Sequence, residues 1–382
     1  VMRTHQLSWS APSGWRADAA DFGNADLVLY FGLRSSLADG ARYRELRGMF
    51  AKAHVVGCST GGQIRNDDVN DEIAAVALQF DRTRLALACE AVPAPGHSRS
   101  CGEAIGRALA SDDLAGIFVL SDGLNINGSE LVAGIIAVVG AKIPLTGGLA
   151  GDSALFEQTL VGADCAPQSG QVAAIGFYGT AIRIGHGSAG GWDEFGPRRR
   201  ITRSSGNVLH ELDGEPALDL YERYLGEDDA RGLPGTALLF PLLIRDPAEP
   251  DQDVVRTVLA IDRAARSMTF AGDVPEGWVA QLMRGNFDRL AAGAAEAARQ
   301  ARSGLGKSRD QDGIAVLVSC IGRRLLMNQH VMDEVEAAGF ELGSRIPRVG
   351  FYSYGEISPH GSAGVCQLHN QTMTVTAITE AA

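Results

Sequence analysis

The 382-residue chain is short of the features that most readily announce a function. Its six cysteines (Cys58, Cys89, Cys101, Cys165, Cys320, Cys366) contain no CxxC pair. That gives no support for a zinc site or a disulfide framework, and it fits free thiols in a reducing cytoplasm. The eight histidines stand singly, without HxH, HExxH or HxxxH spacing, so no dedicated zinc or non-haem iron site is encoded locally. Basic charge is in deficit: 34 Lys and Arg face 46 Asp and Glu, a net charge of −12. An acidic surface argues against non-specific binding to nucleic acid or anionic membrane, and the one basic run, Arg198-Arg199-Arg200, is too short to reverse this. Long hydrophobic runs are missing as well. The longest, Leu131 to Val139, falls well short of the ~20 residues that cross a bilayer. The opening VMRTHQLSWSAPSGW has no apolar h-region, so neither a secretory signal nor membrane insertion is expected. No internal repeat and no low-complexity tract is legible.

What is abundant is hydrophobic residues, 45% of the chain, and glycine, 47 residues placed in short clusters between apolar runs. The first marks a chain able to bury a sizeable core. The second marks backbone that turns tightly or approaches something closely. Asp26 to Gly32 and His54 to Cys58 read as buried strands around a helical stretch at 40–53. Ile73 to Phe80 and Arg84 to Ala91 read as the arms of a hairpin through 81–83. A helix over 101–110, a strand at Gly116 to Ser121 and a helix capped by Asn127 follow, and the chain is then strand-rich to about Arg203. A second unit starts near Gly214, with a helix at Pro216 to Leu225 and strands at Ala237 to Ile244, Val254 to Ile261 and Ser267 to Ala271. A long helix over Trp278 to Arg302, a polar loop at 304–313, a strand at Ile314 to Cys320 and a helix at Asn328 to Ala338 come next. Strands over Val349 to Ile357 and Gly364 to Thr379 close the chain. Parallel units and hairpins together predict a mixed-sheet, layered α/β fold in two successive parts, 26–213 and 214–379, with an αββα-like sandwich as one such arrangement.

Enzyme motifs mostly fail their own tests. Gly57-Cys58-Ser59-Thr60-Gly61-Gly62 follows a strand, where a nucleophile or phosphate loop would sit, but it matches neither GxSxG nor the lysine-bearing phosphate loop. A strand-ending turn and a ligand-facing loop are equal readings of it, and a nucleophilic Cys58 would need a base that the sequence does not display. Gly147-Gly148-Leu149-Ala150-Gly151-Asp152 lacks the GxGxxG spacing and the helix that dinucleotide binding requires. His5 and His97 fall in polar loops, and His210 and His330 in polar contexts suited to structural roles. His186 and His369 each close an apolar strand-like run. Asp152, Asp213 and Glu356 lie beside glycine at turns, where a carboxylate often caps backbone amides. No pair of carboxylates is spaced for acid–base work, so no catalytic residue is expected.

Five segments, in order along the chain, carry a resemblance. They are 56–62 (VGCSTGG), 147–152 (GGLAGD), Gly191-Trp192 with Ile201-Thr202 after it, 211–217 (ELDGEPA), and the pair Tyr354-Gly355-Glu356-Ile357 with Leu368-His369-Asn370-Gln371-Thr372. Together they resemble the FIST family of sensory domains, built from FIST N and FIST C parts, over about Asp26 to Thr379. The resemblance implies a bacterial signal-input domain that binds a small ligand, an amino acid or similar metabolite, and acts on a signalling partner such as a histidine kinase. The sequence runs only a few residues past the last segment. The implied subgroup is therefore free-standing, and some of its members are haem proteins that sense nitric oxide.

The ligand-site residues expected on this reading are Cys58, Ser59, Thr60, Gly61, Gly147, Gly148, Asp152, Trp192, Tyr354, Glu356, His369 and Asn370. The two glycine-rich loops are expected to converge with the C-terminal segment on one cleft. Tyr354, Glu356, His369 and Asn370 would form its polar end, or else satisfy one another as a structural network. A haem, if bound, would be ligated by His369 or His186, with His360 the third candidate; there is no CxxCH attachment. The alternative from another class is a hydrolase using Cys58 or Ser59.

Overall fold

The computed structural model describes residues 2–18, 24–248, 253–309, 311–360 and 364–381. Four sheets organise them, and three are built to one plan. In the first, Leu27–Gly32 and His54–Ser59 pair in parallel across a helical crossover, Ala41–Met49. In the second, Leu114–Ser121 and Leu145–Leu149 do the same across Gly128–Val139. In the third, Gly313–Cys320 and Arg348–Ser353 are joined through Ile321–Met327 and Val331–Leu342. Each unit then adds an antiparallel strand beside its first: Ile73–Gln79, Gln171–Tyr178 and Met373–Glu380. A further antiparallel strand flanks that one: Arg3–Ser10, Arg84–Ala91 and Ile182–Ala189.

The units also exchange strands in a ring. Gln63–Arg65 of the first unit pairs with the third sheet, Gly355–His360 of the third with the second, and Val161–Ala163 of the second with the first. The fold is therefore a threefold structural repeat that the sequence does not display. Only a glycine survives at the same place in Val56-Gly57-Cys58, Thr146-Gly147-Gly148 and Val349-Gly350-Phe351. The physical reason is close approach. A Cβ at Gly57, Gly147 or Gly350 would lie 2.3, 1.9 or 1.9 Å from the carbonyl oxygen of Tyr30, Val119 or Leu317 on the paired strand. No other position of the three segments is under so sharp a demand.

The central strands of these three sheets are buried on both faces, which is why they read as apolar runs. The inner faces share one core: Phe31 and Val56, Phe118 and Ile175, and Val316 and Phe351 belong to a single cluster, with the Phe31 and Phe351 rings 4.7 Å apart. The outer faces carry helices, with Leu46 over the first sheet, Ile105 and Leu131 over the second, and Ala298 and Val335 over the third. The mixed-sheet, layered α/β architecture expected from the sequence is what these layers form. The fourth sheet, of eight strands, lies between Ile182–Ala189 and the helix Phe287–Gly304, and it packs its own core against the helix Ala217–Leu225.

Several local expectations are corrected. Ile73–Gln79 and Arg84–Ala91 are not a hairpin but enter different sheets. The turn between them is held by Glu380, whose carboxylate accepts from the backbone N–H groups of Asp81, Arg82 and Thr83. The long helix begins at Phe287, not Trp278. Asn286 caps it by accepting from the N–H of Asp288 and Arg289, and Val279–Arg284 before it is a strand. The stretch 237–244 opens as a 3-10 turn, Gly235–Leu239, before the strand Leu242–Arg245. The strand expected over 254–261 breaks at Thr257, and those over 349–357 and 364–379 each divide between two sheets. Helix Ile321–Met327 was not foreseen. Residue 310 of the loop expected over 304–313 lies outside the described residues.

The close approach is testable. Gly350→Ala should lower stability by about 3 kcal/mol or more in urea denaturation, because a methyl group must displace backbone. Gly48→Ala, in a helix with nothing within 4 Å of the new methyl, should instead raise it by up to about 1 kcal/mol.

Candidate functional site

The ends of the three second strands meet. Gly61 N–H donates to Tyr352 O (2.8 Å), Gly151 N–H to Ser59 O (2.9 Å) and Tyr354 N–H to Leu149 O (3.3 Å). Each donor stands two residues beyond the acceptor of its own unit, so the bonds form a closed ring. The two glycine-rich loops and the C-terminal segment thus lie side by side, largely sealed within the protein. Cys58 is in the shared core, and burial pushes its thiol pKa well above the ordinary value, which removes the thiolate a nucleophile needs. The Ser59 hydroxyl accepts from Leu160 N–H (2.8 Å), and Thr60 Oγ1 lies 2.6 Å from the Gln63 side-chain amide. Gly61 packs under Ile321, and Gly147 and Gly148 lie within the second sheet.

Asp152 is a capping carboxylate. It accepts from the N–H groups of Phe156, Glu157 and Gln158 and from the Tyr354 hydroxyl, with Arg34 Nη1 at 3.3 Å. Burial and the Asp152 charge raise the Tyr354 pKa. The Tyr354 ring stacks on Phe156 (4.5 Å) and faces a cavity of about 270 Å³ that Leu149, Asn127 and Phe270 also line. Trp192 lies elsewhere, its indole N–H donating to Gln371 O (2.6 Å).

Glu356 and His369 are opposite one another on paired strands and fully enclosed. The Glu356 carboxyl accepts from Ser353 Oγ (2.6 Å) and from Thr372 Oγ1 (2.9 Å) and N (3.2 Å), and burial raises its pKa to about 8. His369 Nε2 lies 3.0 Å from Ser358 O, with the His360 ring 4.9 Å away; burial lowers its pKa to about 3. Asn370 Nδ2 reaches Tyr354 O at 3.4 Å, while its Oδ1 has no partner. Of these four, Tyr354 opens on the cavity and the others are bonded within the protein. The residues do not fit a haem. His369 is enclosed, His186, whose pKa burial also lowers, is on a different sheet, and His360 packs on the His369 ring with its Nε2 3.7 Å from Asp253 Oδ1. No group of three metal-ligating side chains occurs among the described residues.

The side chains that sequence reasoning missed stand next to this cluster. A groove of about 460 Å³ runs between helix Gly128–Val139, strand Val365–His369 and the fourth sheet. Arg256 lines it, 6% exposed, its Nε donating to Asp273 O (2.9 Å) and Nη1 to Leu368 O (2.9 Å). Burial lowers its pKa to about 10, against the opposing pull of the nearby Asp273 charge, so it is still charged at neutral pH. Asp273 and Ser129 line the same groove. Asp273 Oδ1 accepts from Asn127 Nδ2 (3.1 Å), and the Ser129 hydroxyl is buried without a partner. Val132, Ile136, Val254, Trp278 and Leu368 make most of the remaining wall apolar, with Gln367 a further polar side chain. Arg256 carries no sequence signal because it alternates within an ordinary strand; only the fold brings it to the groove. A second missed group is the fully buried Arg323–Glu334 ion pair (2.7 Å). Glu334 also accepts from Ser319 and Tyr352, and Arg323 donates to Leu290 O.

Glu356 sets a pH dependence. Its pKa is raised on folding from 4.5 to about 8, so its contribution is complete below the lower value and is lost as pH rises through the upper one. Denaturation midpoints should therefore fall between pH 5 and 8, and Glu356→Gln should flatten that decline; an equal slope in both proteins would contradict the assignment.

Comparison with known proteins agrees with the segment order. The FIST N domain matches residues 26–215 and the FIST C domain residues 217–359. An uncharacterized protein of Methanocaldococcus jannaschii is 27% identical over 197 residues, 45% of this chain and 34% of that protein, so the match spans about a third of its length. Cyanuric acid hydrolase from A. caulinodans aligns over 100% of this chain and 99% of its own at 9% identity and a TM-score of 0.41. A chorismatase aligns over 99% and 98%, at 9% identity and a TM-score of 0.35. No described helix is long and apolar enough to cross a membrane. With both domain descriptions matched in order over most of its length, this chain belongs to the FIST family.

Proposed function

We propose that the chain binds an amino acid or similar metabolite in the groove between helix Gly128–Val139 and the fourth sheet, and passes its occupancy to a signalling partner such as a histidine kinase. The observation that carries this reading is Arg256: a buried guanidinium whose hydrogen bonds go to two backbone carbonyls, with the Asp273 charge nearby and a place on the groove wall. A buried cation with spare donor capacity favours an anionic group on a ligand. Asp273 on the same wall suits an ammonium, and the unpartnered Ser129 hydroxyl suits either end. Nothing comparable supports hydrolysis, since Cys58 is sealed and Ser59 bonds only backbone.

The groove also suits transmission. Its walls come from the second repeat, strand Val365–His369 and the fourth sheet, so a ligand there would tie the fourth sheet to the threefold core. Binding of that kind alters how firmly one part is held against another, which a partner protein can read.

Titration calorimetry of the purified chain against the free amino acids tests the reading. At least one should bind, and Arg256→Lys, which keeps the charge but loses the planar fork, should weaken it about tenfold. Unchanged affinity in that variant would contradict the site.

A further inference from the structure

Resting on the amino-acid reading above, we infer that the groove selects ligands with a bulky aliphatic or aromatic side chain and rejects small or charged ones. Its charged and hydrogen-bonding side chains are Ser129, Arg256, Asp273 and, on strand Val365–His369, Gln367, and the first three are enough to hold an ammonium and a carboxylate. Beyond them, the wall toward helix Gly128–Val139 is Val132, Ala133 and Ile136, with Trp278 from the fourth sheet. Val132 is buried, while Ala133, Ile136 and Trp278 are half-buried and leave apolar surface for a ligand to cover. None of these four side chains offers a charge. A carboxylate or ammonium on the ligand's side chain would be desolvated against them without compensation.

Size points the same way. About 460 Å³ is far more than an alanine side chain fills, and space left beside Val132 and Ile136 forfeits contacts. Each methylene buried there is worth about fourfold in affinity, so three added carbons are worth about fiftyfold. Ala133 is the residue that sets the room available. It is half-buried, faces the groove, and its methyl group leaves space that a larger residue would occupy.

The experiment is a calorimetric series on the unmodified chain with leucine, phenylalanine, alanine, aspartate and lysine, repeated on Ala133→Trp. Leucine should bind about fiftyfold more tightly than alanine and phenylalanine at least as tightly as leucine, while aspartate and lysine should be weaker than alanine. Ala133→Trp should remove most of the advantage of leucine over alanine. Equal affinity for alanine and leucine, or tighter binding of aspartate or lysine, overturns the selectivity while leaving amino-acid binding in place. An unchanged leucine advantage in a folded Ala133→Trp protein overturns the placement of the side chain. Silence from all five ligands fails both this inference and the reading beneath it.

Discussion

The ring of backbone bonds from Gly61 to Tyr352, from Tyr354 to Leu149 and from Gly151 to Ser59 is the constraint on which the rest of the molecule depends. Each bond leaves one repeat and lands on the next, so no sheet can settle without its neighbours. The exchanged strands Gln63–Arg65, Val161–Ala163 and Gly355–His360 follow directly, because the chain leaving each ring position is already beside another unit's sheet edge. The glycines at 57, 147 and 350 permit the tight strand pairing that precedes the ring. Side chains in this region then have little freedom, which explains why Ser59, Thr60 and Glu356 are enclosed and bonded to protein groups.

Polar groups near the ring divide into two kinds. Asp152, Glu356, Arg323 and Glu334 are bonded to protein partners, and Asp152, through Arg34 and Tyr354, and Arg323, through Gly190, hold segments that are distant in sequence. Breaking such a network leaves uncompensated buried groups and costs stability. Arg256, Asp273 and Ser129 differ, because they line a groove and keep bonding capacity that the protein does not use. That contrast is why the groove, and not the more conspicuous motifs, is proposed as the binding site.

The sequence disclosed these features unevenly. Strands buried on both faces were visible because Leu27 to Phe31 or Ile314 to Val318 can be little else. The Asn127 cap was visible because its hydrogen bond to Glu130 N–H is local. Pairing was not visible: Ile73–Gln79 and Arg84–Ala91 look like a hairpin, and the turn that parts them is held by Glu380, some 300 residues away. The threefold repeat escaped notice because its demand falls on backbone, which many sequences satisfy, and leaves one glycine per unit as its trace. Tyr354 and Asp152 were picked out by the family resemblance and do meet. Arg256 and Asp273 were not, since a single arginine in a strand and an aspartate after a glycine are unremarkable until the fourth sheet folds over helix Gly128–Val139.

The central claim is that the groove, not the glycine-rich ring, receives the ligand. Hydrogen–deuterium exchange of the chain with and without saturating leucine tests it most directly, since exchange reports where backbone is held. Slowed exchange is expected in helix Gly128–Val139, strands Asp253–Arg256 and Val365–His369, and the segment from Asp273 to Trp278. Slowing confined to the loops at 57–62 and 147–158, with the groove segments unchanged, would contradict the account.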